Sequence, residues 1–331
     1  MSLLIIASDS PGAGKTATTL AMAQISNENG VGASAFKPFA LTDNDPDQAV
    51  FAALVNPAPD GWPIQIADSG PTRDDIAAAA HPLSIAAAGD DPVIVEIPSE
   101  IDPGGIAELA DAWDATVLLV AAYRRDLRAS DLSEWQSALG DRFAGVLVNG
   151  ITRYLGTEAN DYLIPSLEEA GLPLVGIIPE DRFMLSLSVE EIRAGLNGRY
   201  VVDEGDLNAP IEWFQVGGMS LDPGELRFGL YDNNAVVVRG DRPDIQMSAL
   251  NSSVSCLVLT GGLEPIEYIT YEAGEEEVPV MVVETDTDST MSALNEVTTS
   301  ARMNSAAKAA RFAELLGTHA KDLPGLLSAA S

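Results

Sequence analysis

Short runs of aliphatic and β-branched residues alternate along the chain with Ala-rich or amphipathic stretches. "LLIIAS", "GASAFKPFA", "DPVIVEIPS", "ATVLLVAAY", "GVLVNGI" and "LPLVGIIPE" read as strands, and "TATTLAMAQIS" after the first of them reads as a helix. Strands apolar at successive positions bury both faces, the habit of a parallel sheet covered by helices. The pattern predicts an α/β fold with a doubly wound, mostly parallel sheet. In "SLSVEEIRAGLNGRYV", Ser188 with Glu191 three residues on has the form of a capping box, opening the last helix of that domain. The chain then turns acidic at "VDEGDLNAP", which places a boundary near Asp203. A second, smaller α/β pattern follows in "FQVGGMSL", "AVVVRGDRPDIQMSAL", "SCLVLTGGLEPIEYITYEA" and "VPVMVVETDTDSTMSALNEV". Thr299 to Leu316 reads as a helix before the tail "LPGLLSAAS". The expected organisation is therefore residues 1–203, 204–300 and 301–331.

A chain of 331 residues suits two domains of ordinary size. Its net charge of −32, from 18 Lys+Arg against 50 Asp+Glu, repels a nucleic-acid backbone and an anionic membrane surface, so neither is an expected partner. Only four lysines occur, Lys15, Lys37, Lys308 and Lys321, which makes each one informative. Few lysines among many Asp, Glu and Ala resemble the proteins of salt-in halophiles; an acidic protein from a GC-rich genome is the other reading. The single cysteine, Cys256, lies in "SCLVLTGG" and excludes an intrachain disulfide; it reads as a small buried hydrophobe. The start "MSLLIIASDS" has no basic region and turns polar too soon for a signal peptide, so a cytoplasmic location is expected.

Candidate chemistry begins at "IIASDSPGAGKT", where a strand leads through a glycine loop into a helix. This is the context of a phosphate-binding loop, although Asp9 stands where G-x-x-x-x-G-K-[ST] has its first glycine. Gly12 and Gly14 let the backbone turn its N–H groups toward a phosphate, Lys15 reaches the β/γ-phosphates, and Thr16 offers a hydroxyl to Mg²⁺. The expected nucleotide contacts are Ser10, Gly12, Ala13, Gly14, Lys15, Thr16 and Ala17. "VIVEIPS" ends a strand in Glu96 at the edge of the sheet where such folds bind ligands, which makes it a metal ligand or a solvated strand end. Lys37, before Pro38, meets an anion at the end of another strand. The absence of an Asn-Lys-x-Asp motif favours adenine over guanine.

"ASDSPGAGKT", "FKP", "VIVE" and "GVLVN…LPLVGIIPED" follow the order seen in the dethiobiotin synthetase and cobyrinic acid diamide synthetase group of P-loop proteins. They also resemble the related N-terminal domain of long phosphate acetyltransferases. The resemblance covers about the first 200 residues. It implies ATP and Mg²⁺ as cofactors, Lys15 and Lys37 as the catalytic lysines, Thr16 and Glu96 as metal contacts, and Asn149 as an adenine contact. Dethiobiotin synthetases follow the strand-end Glu with a glycine-rich loop for a substrate carboxylate. Here Ile97-Pro98-Ser99 follows, and proline has no N–H to offer.

From about Trp213 to Val297 the chain resembles the DRTGG domain, a small regulatory module of long phosphate acetyltransferases and some regulated pyrophosphatases. Asp241-Arg242 is followed by Pro243-Asp244 rather than Thr-Gly-Gly, and Gly261-Gly262 follows the next strand. Free backbone N–H groups are expected at Gly240, Gly261 and Gly262. Arg242 either pairs with an effector's phosphate or carboxylate, or bridges to its acidic neighbours. Asp241, Arg242, Gly261 and Gly262 are the candidate effector residues.

The chain stops where a phosphate acetyltransferase begins its catalytic domain, so the resemblance implies a regulatory half on its own. The expected function is an ATP/Mg²⁺-binding regulatory protein, a homodimer with a protein partner in acetyl-CoA or acyl-phosphate metabolism, and at most a slow ATPase. The alternative is an ATP-dependent ligase or amidase that activates a carboxylate as an acyl phosphate.

Overall fold

The structure, a computed structural model, describes residues 3–328 apart from 43–44, 90 and 219–223. The end of "FQVGGMSL" and the last three residues of the tail lie outside the described residues. The chain divides into two compact units, one formed by the residues up to Asp181 together with those from Met303 onward, the other by Arg182–Arg302.

In the first unit six strands form one sheet: β1 (Leu3–Ser8), β2 (Ser34–Phe36), β3 (Val93–Glu96), β4 (Thr116–Ala122), β5 (Phe143–Ile151) and β6 (Leu174–Pro179). Their order across the sheet is β2-β3-β1-β4-β5-β6, with every neighbour parallel. After β1 the chain moves to one side of that strand, and after β3 it crosses to the other. A crevice opens at such a reversal beyond the carboxyl ends of β1 and β3. Helices α1 (Lys15–Glu28) and α2 (Asp47–Leu54) follow the first two strands, and α3 (Pro103–Trp113) and α4 (Ala129–Leu139) cover one face. Leu3, Ile5, Val93, Val95, Val117 and Leu119 pack there with Ile106, Leu109, Leu132 and Trp135. The alternate strand residues Leu4, Ile6, Ile94 and Leu118 are equally buried, which is why the strands show no polar alternation. Each fully buried side chain of this size contributes about 1.5–3 kcal/mol.

The second unit has its own sheet. Strands β7 (Arg199–Val202), β8 (Trp213–Gly217), β9 (Asn234–Arg239), β10 (Cys256–Thr260) and β11 (Val280–Val282) lie in the order β7-β11-β10-β9-β8. All neighbours are parallel except the edge strand β7, which runs antiparallel to β11. Helices α5 (Val189–Gly195), α6 (Pro243–Leu250), α7 (Glu267–Glu275) and α8 (Thr287–Thr298) complete it. Val236, Val238, Leu257 and Leu259 face Ile245, Ala249 and Ile269. Ala235, Val237, Cys256 and Val258 face Val189, Ile192 and Leu294 on the other side. The Ser188–Glu191 capping box opens α5 as the pattern predicts. That helix belongs to the second unit, however, because Val189 and Ile192 bury against β9 and β10 and β7 extends their sheet. The division therefore falls at Asp181/Arg182 rather than near Asp203.

The chain then returns. The last long helix, α9 (Ala306–His319), starts later than Thr299 because α8 ends at Thr298 and Ser305 caps α9, accepting from the Lys308 N–H. It packs along α1 and buries Phe312, Leu315 and Leu316. Arg311 pairs with Asp181 at 2.8 Å, and the Lys321 N–H donates to Val175 O at 2.7 Å, so the residues after α9 shield the edge strand β6. Residues 303–328 thus complete the first unit instead of standing as a separate tail.

Candidate nucleotide site

The loop between β1 and α1 lies at the mouth of the crevice. Gly12 and Gly14 adopt left-handed φ values of 73° and 101° that only glycine takes without strain. A Cβ on Gly14 would lie 2.3 Å from Asn149 Nδ2, so a larger residue there would displace that side chain. α1 opens on Gly14 with no side-chain cap and no acidic residue in its first turn. Among the described residues, the N–H groups of Gly12, Ala13 and Gly14 meet no protein acceptor. A turn of unpaired N–H groups leading into the positive end of a helix is an anion cradle.

Asp9 does not adopt a left-handed backbone, so the first position of this loop has no conformational need for glycine. Its carboxylate is turned back onto the sheet, accepting from the Ala122 N–H at 3.1 Å and from Ser10 Oγ at 2.9 Å and pairing with Arg124 at 2.5 Å. Ser10 is thereby tied to Asp9 and also gives its carbonyl to Ser8 Oγ at 2.9 Å.

Lys15 is buried and donates to Ser8 Oγ at 2.8 Å. Burial pushes its ammonium below the ordinary lysine value, although Glu96 nearby works the other way. A buried lysine with one hydroxyl partner gains from a phosphate beside it. Thr16 Oγ1 donates to Glu96 Oε1 at 3.1 Å, bridging the start of α1 to the end of β3. Glu96 is 2% exposed, so the solvated strand end is excluded. Its carboxyl is raised above the usual range by burial, against the pull of Lys37. Its second oxygen, Oε2, is buried without a hydrogen-bond partner.

Lys37 sits among three carboxylates, 2.7 Å from Asp45, 2.5 Å from Asp47 and 3.6 Å from Glu96. Burial alone would lower its pKa, but Glu96, Asp47 and the hydrogen bonds to Asp45 and Asp47 carry it upward, so it stays an ammonium. Asn149, at the end of β5, donates through Nδ2 to Ala13 O at 2.8 Å and braces the loop from the side. Ala13 itself is buried, and Ala17 faces the core from the first turn of α1. One crevice therefore brings Lys15, Thr16, Lys37, Glu96 and Asn149 together from four segments. Asp45, Asp47, Ser8 and Arg124 join the site although no motif marks them. The acidic run "TDNDPD" after "FKPFA" was the available signal for the first two.

The residues present fit a nucleoside triphosphate with Mg²⁺: an uncapped helix start behind a glycine turn, a buried lysine, and a hydroxyl beside a buried carboxylate with a spare oxygen.

In the second unit the carboxyl ends of β9 and β10 stand side by side, with the Gly240 N–H donating to Thr260 O at 3.1 Å. This places Asp241, Arg242, Gly261 and Gly262 at one edge of the sheet. The N–H groups expected to be free there are not. Gly261 N donates to Thr285 O at 2.8 Å and Gly262 N to Val283 O at 2.9 Å, because the ladder with the β11 segment runs on past the strand end. Arg242 bridges to Asp244 through two bonds of 2.9 and 2.7 Å, and Asp241 pairs with Arg239. Gln246 was not foreseen. It is fully buried, donates to Arg239 O and Gly240 O, and leaves Oε1 without a partner.

Residues 191–297 match the DRTGG domain, and the chain contains one. The match starts at Glu191 rather than near Trp213, consistent with α5 and β7 belonging to that unit. Among solved structures, the CBS and DRTGG domains of the regulatory region of a Clostridium perfringens pyrophosphatase, complexed with the activator diadenosine tetraphosphate, are 15% identical. They cover 47% of this chain and 77% of theirs at a TM-score of 0.32. The MinC:MinD cell division complex of Aquifex aeolicus is 15% identical, covering 55% and 82% at 0.39. Chloroplast FtsY of Physcomitrella patens is 17% identical, covering 54% and 59% at 0.37. No helix among the described residues is long and apolar enough to cross a membrane.

Proposed function

We propose that the protein is a nucleotide-responsive regulator. ATP with Mg²⁺ occupies the crevice of the first unit, the DRTGG domain receives a second signal, and the output reaches a protein partner in acetyl-CoA or acyl-phosphate metabolism. The observation that carries this reading is the cradle of unpaired N–H groups closed by buried Lys15 and the Thr16–Glu96 bridge. In it Lys15 meets the β/γ-phosphates, Thr16 and Glu96 hold the cation, and Asn149 fixes the loop near the base. The cation would neutralise phosphate charge. The path after Glu96 supports regulation over carboxylate activation: Ile97 is fully buried with its N–H committed to Ile6 O at 3.2 Å, and Pro98 has no N–H, so neither residue offers a donor to an acyl substrate.

Titration calorimetry with ATP and Mg²⁺ on the wild type and on Lys15→Ala tests the site. Binding should vanish in the variant, since no other lysine occupies the loop. Equal affinities would remove the assignment. ATP turnover measured with and without a panel of carboxylates separates the two classes of function: a slow basal rate that no carboxylate raises is the expected result.

A further inference from the structure

We propose that Asp9 and Arg124 form a charge-neutral clasp that positions the phosphate loop, so that restoring the glycine of the common motif at position 9 weakens nucleotide binding instead of improving it. This rests on the nucleotide reading above.

Asp9 is bound to the strand beside it by both backbone and side chain. Its N–H reaches Val120 O at 3.4 Å, and its carboxylate takes the Ala122 N–H and the Arg124 guanidinium. The side chain is 6% exposed and its oxygens have three donors, counting Ser10 Oγ. The entrance of the loop is thus fixed to the end of β4, while Gly12 and Gly14 supply the turn. A glycine at position 9 deletes the three bonds and frees a backbone that has no left-handed requirement there.

The pair also resolves a conflict of charge. A carboxylate at the mouth of a polyphosphate site repels its ligand, and Arg124 cancels that charge. Arg124 is 41% exposed and lies near two further acids, 3.5 Å from Asp131 and 3.9 Å from Asp126. It is therefore held in a carboxylate cluster at the loop entrance. Removing Arg124 alone uncovers Asp9; removing both takes the Asp9 charge away as well, leaving Asp126 and Asp131 as they stand in the single variant. A role confined to stability predicts damage that accumulates, whereas a charge clasp predicts that the second substitution recovers part of what the first one loses.

The test is ATP–Mg²⁺ titration of wild type, Asp9→Gly, Arg124→Ala and the double variant Asp9→Asn/Arg124→Ala, with melting curves to establish that each is folded. Asp9→Gly should bind several-fold more weakly, about three- to tenfold. Arg124→Ala should lose on the order of tenfold, and the double variant should regain about a third or more of that loss on a logarithmic scale. Arg124→Lys, which keeps the charge, should stay nearer the wild type and serves if Arg124→Ala fails to fold. Wild-type binding with equal affinity in Asp9→Gly, or a double variant weaker than Arg124→Ala, overturns the clasp while leaving the nucleotide site standing. No binding by the wild type overturns the nucleotide reading itself.

Discussion

Thr16 and Glu96 meet at 3.1 Å, joining the helix that begins with the loop lysine to the strand across the crevice. The bond uses one oxygen of Glu96 and leaves the other buried without a partner. Burial raises the Glu96 pKa above its ordinary 4.5, so the folded chain holds that proton more tightly than the unfolded chain does. Its stabilising contribution is complete below 4.5 and is lost as pH rises through the raised value. Glu96→Gln cannot ionise. The melting temperature of Glu96→Gln relative to wild type, without nucleotide or metal, should climb across that rise. A constant difference from about pH 4 to about pH 8 would mean that Glu96 ionises as it does in the unfolded chain.

With a net charge of −32, the folded chain repels itself unless ions screen the carboxylates. The melting temperature should rise steeply from low to molar KCl. A flat profile would show that the acidic surface has another purpose than tolerance of salt.

Because β7 and α5 are part of the second unit, the fragment that should fold alone is Arg182–Arg302, and one starting at Asp206 should not. Circular dichroism melts of the two fragments decide this. We further expect the longer one to self-associate as a dimer, since β8 is a sheet edge with Val216 47% exposed. Light scattering that shows a monomer at every concentration would refute the dimer.

Cys256 lies in β10 with no exposed surface, and burial pushes its thiol up to about 12. It should resist alkylation at neutral pH in the folded protein and react within the time of unfolding in denaturant. Rapid labelling of the native chain would show that β10 is open to solvent.

Much of the first sheet was legible because its strands are apolar at nearly every position, with no polar alternation, the pattern of a sheet buried on both faces. The glycine loop was legible for a related reason, since Gly12 and Gly14 mark backbone that other residues avoid. What escaped were relations between distant residues. Nothing near Asp9 in sequence shows that Arg124 balances it, nor that Asp45 and Asp47 surround Lys37. The expected free N–H groups at Gly261 and Gly262 failed for the same reason, because their acceptors come from the following strand's segment, more than 20 residues on. The Asp203 boundary followed a change in composition, whereas the fold follows the pairing of β7.

The return of α9 to α1 bears on how the chain is made. A ribosome releases the glycine loop, Lys15 and Glu96 early, yet α1 lacks its cover and β6 its edge protection until residues 303–328 emerge. All of Arg182–Arg302 is synthesised in between, and a module with its own core can fold as soon as it is clear of the tunnel. The DRTGG unit can thus be finished before the first unit can close. A nascent chain stalled inside it would carry every residue of the glycine loop on a sheet not yet sealed.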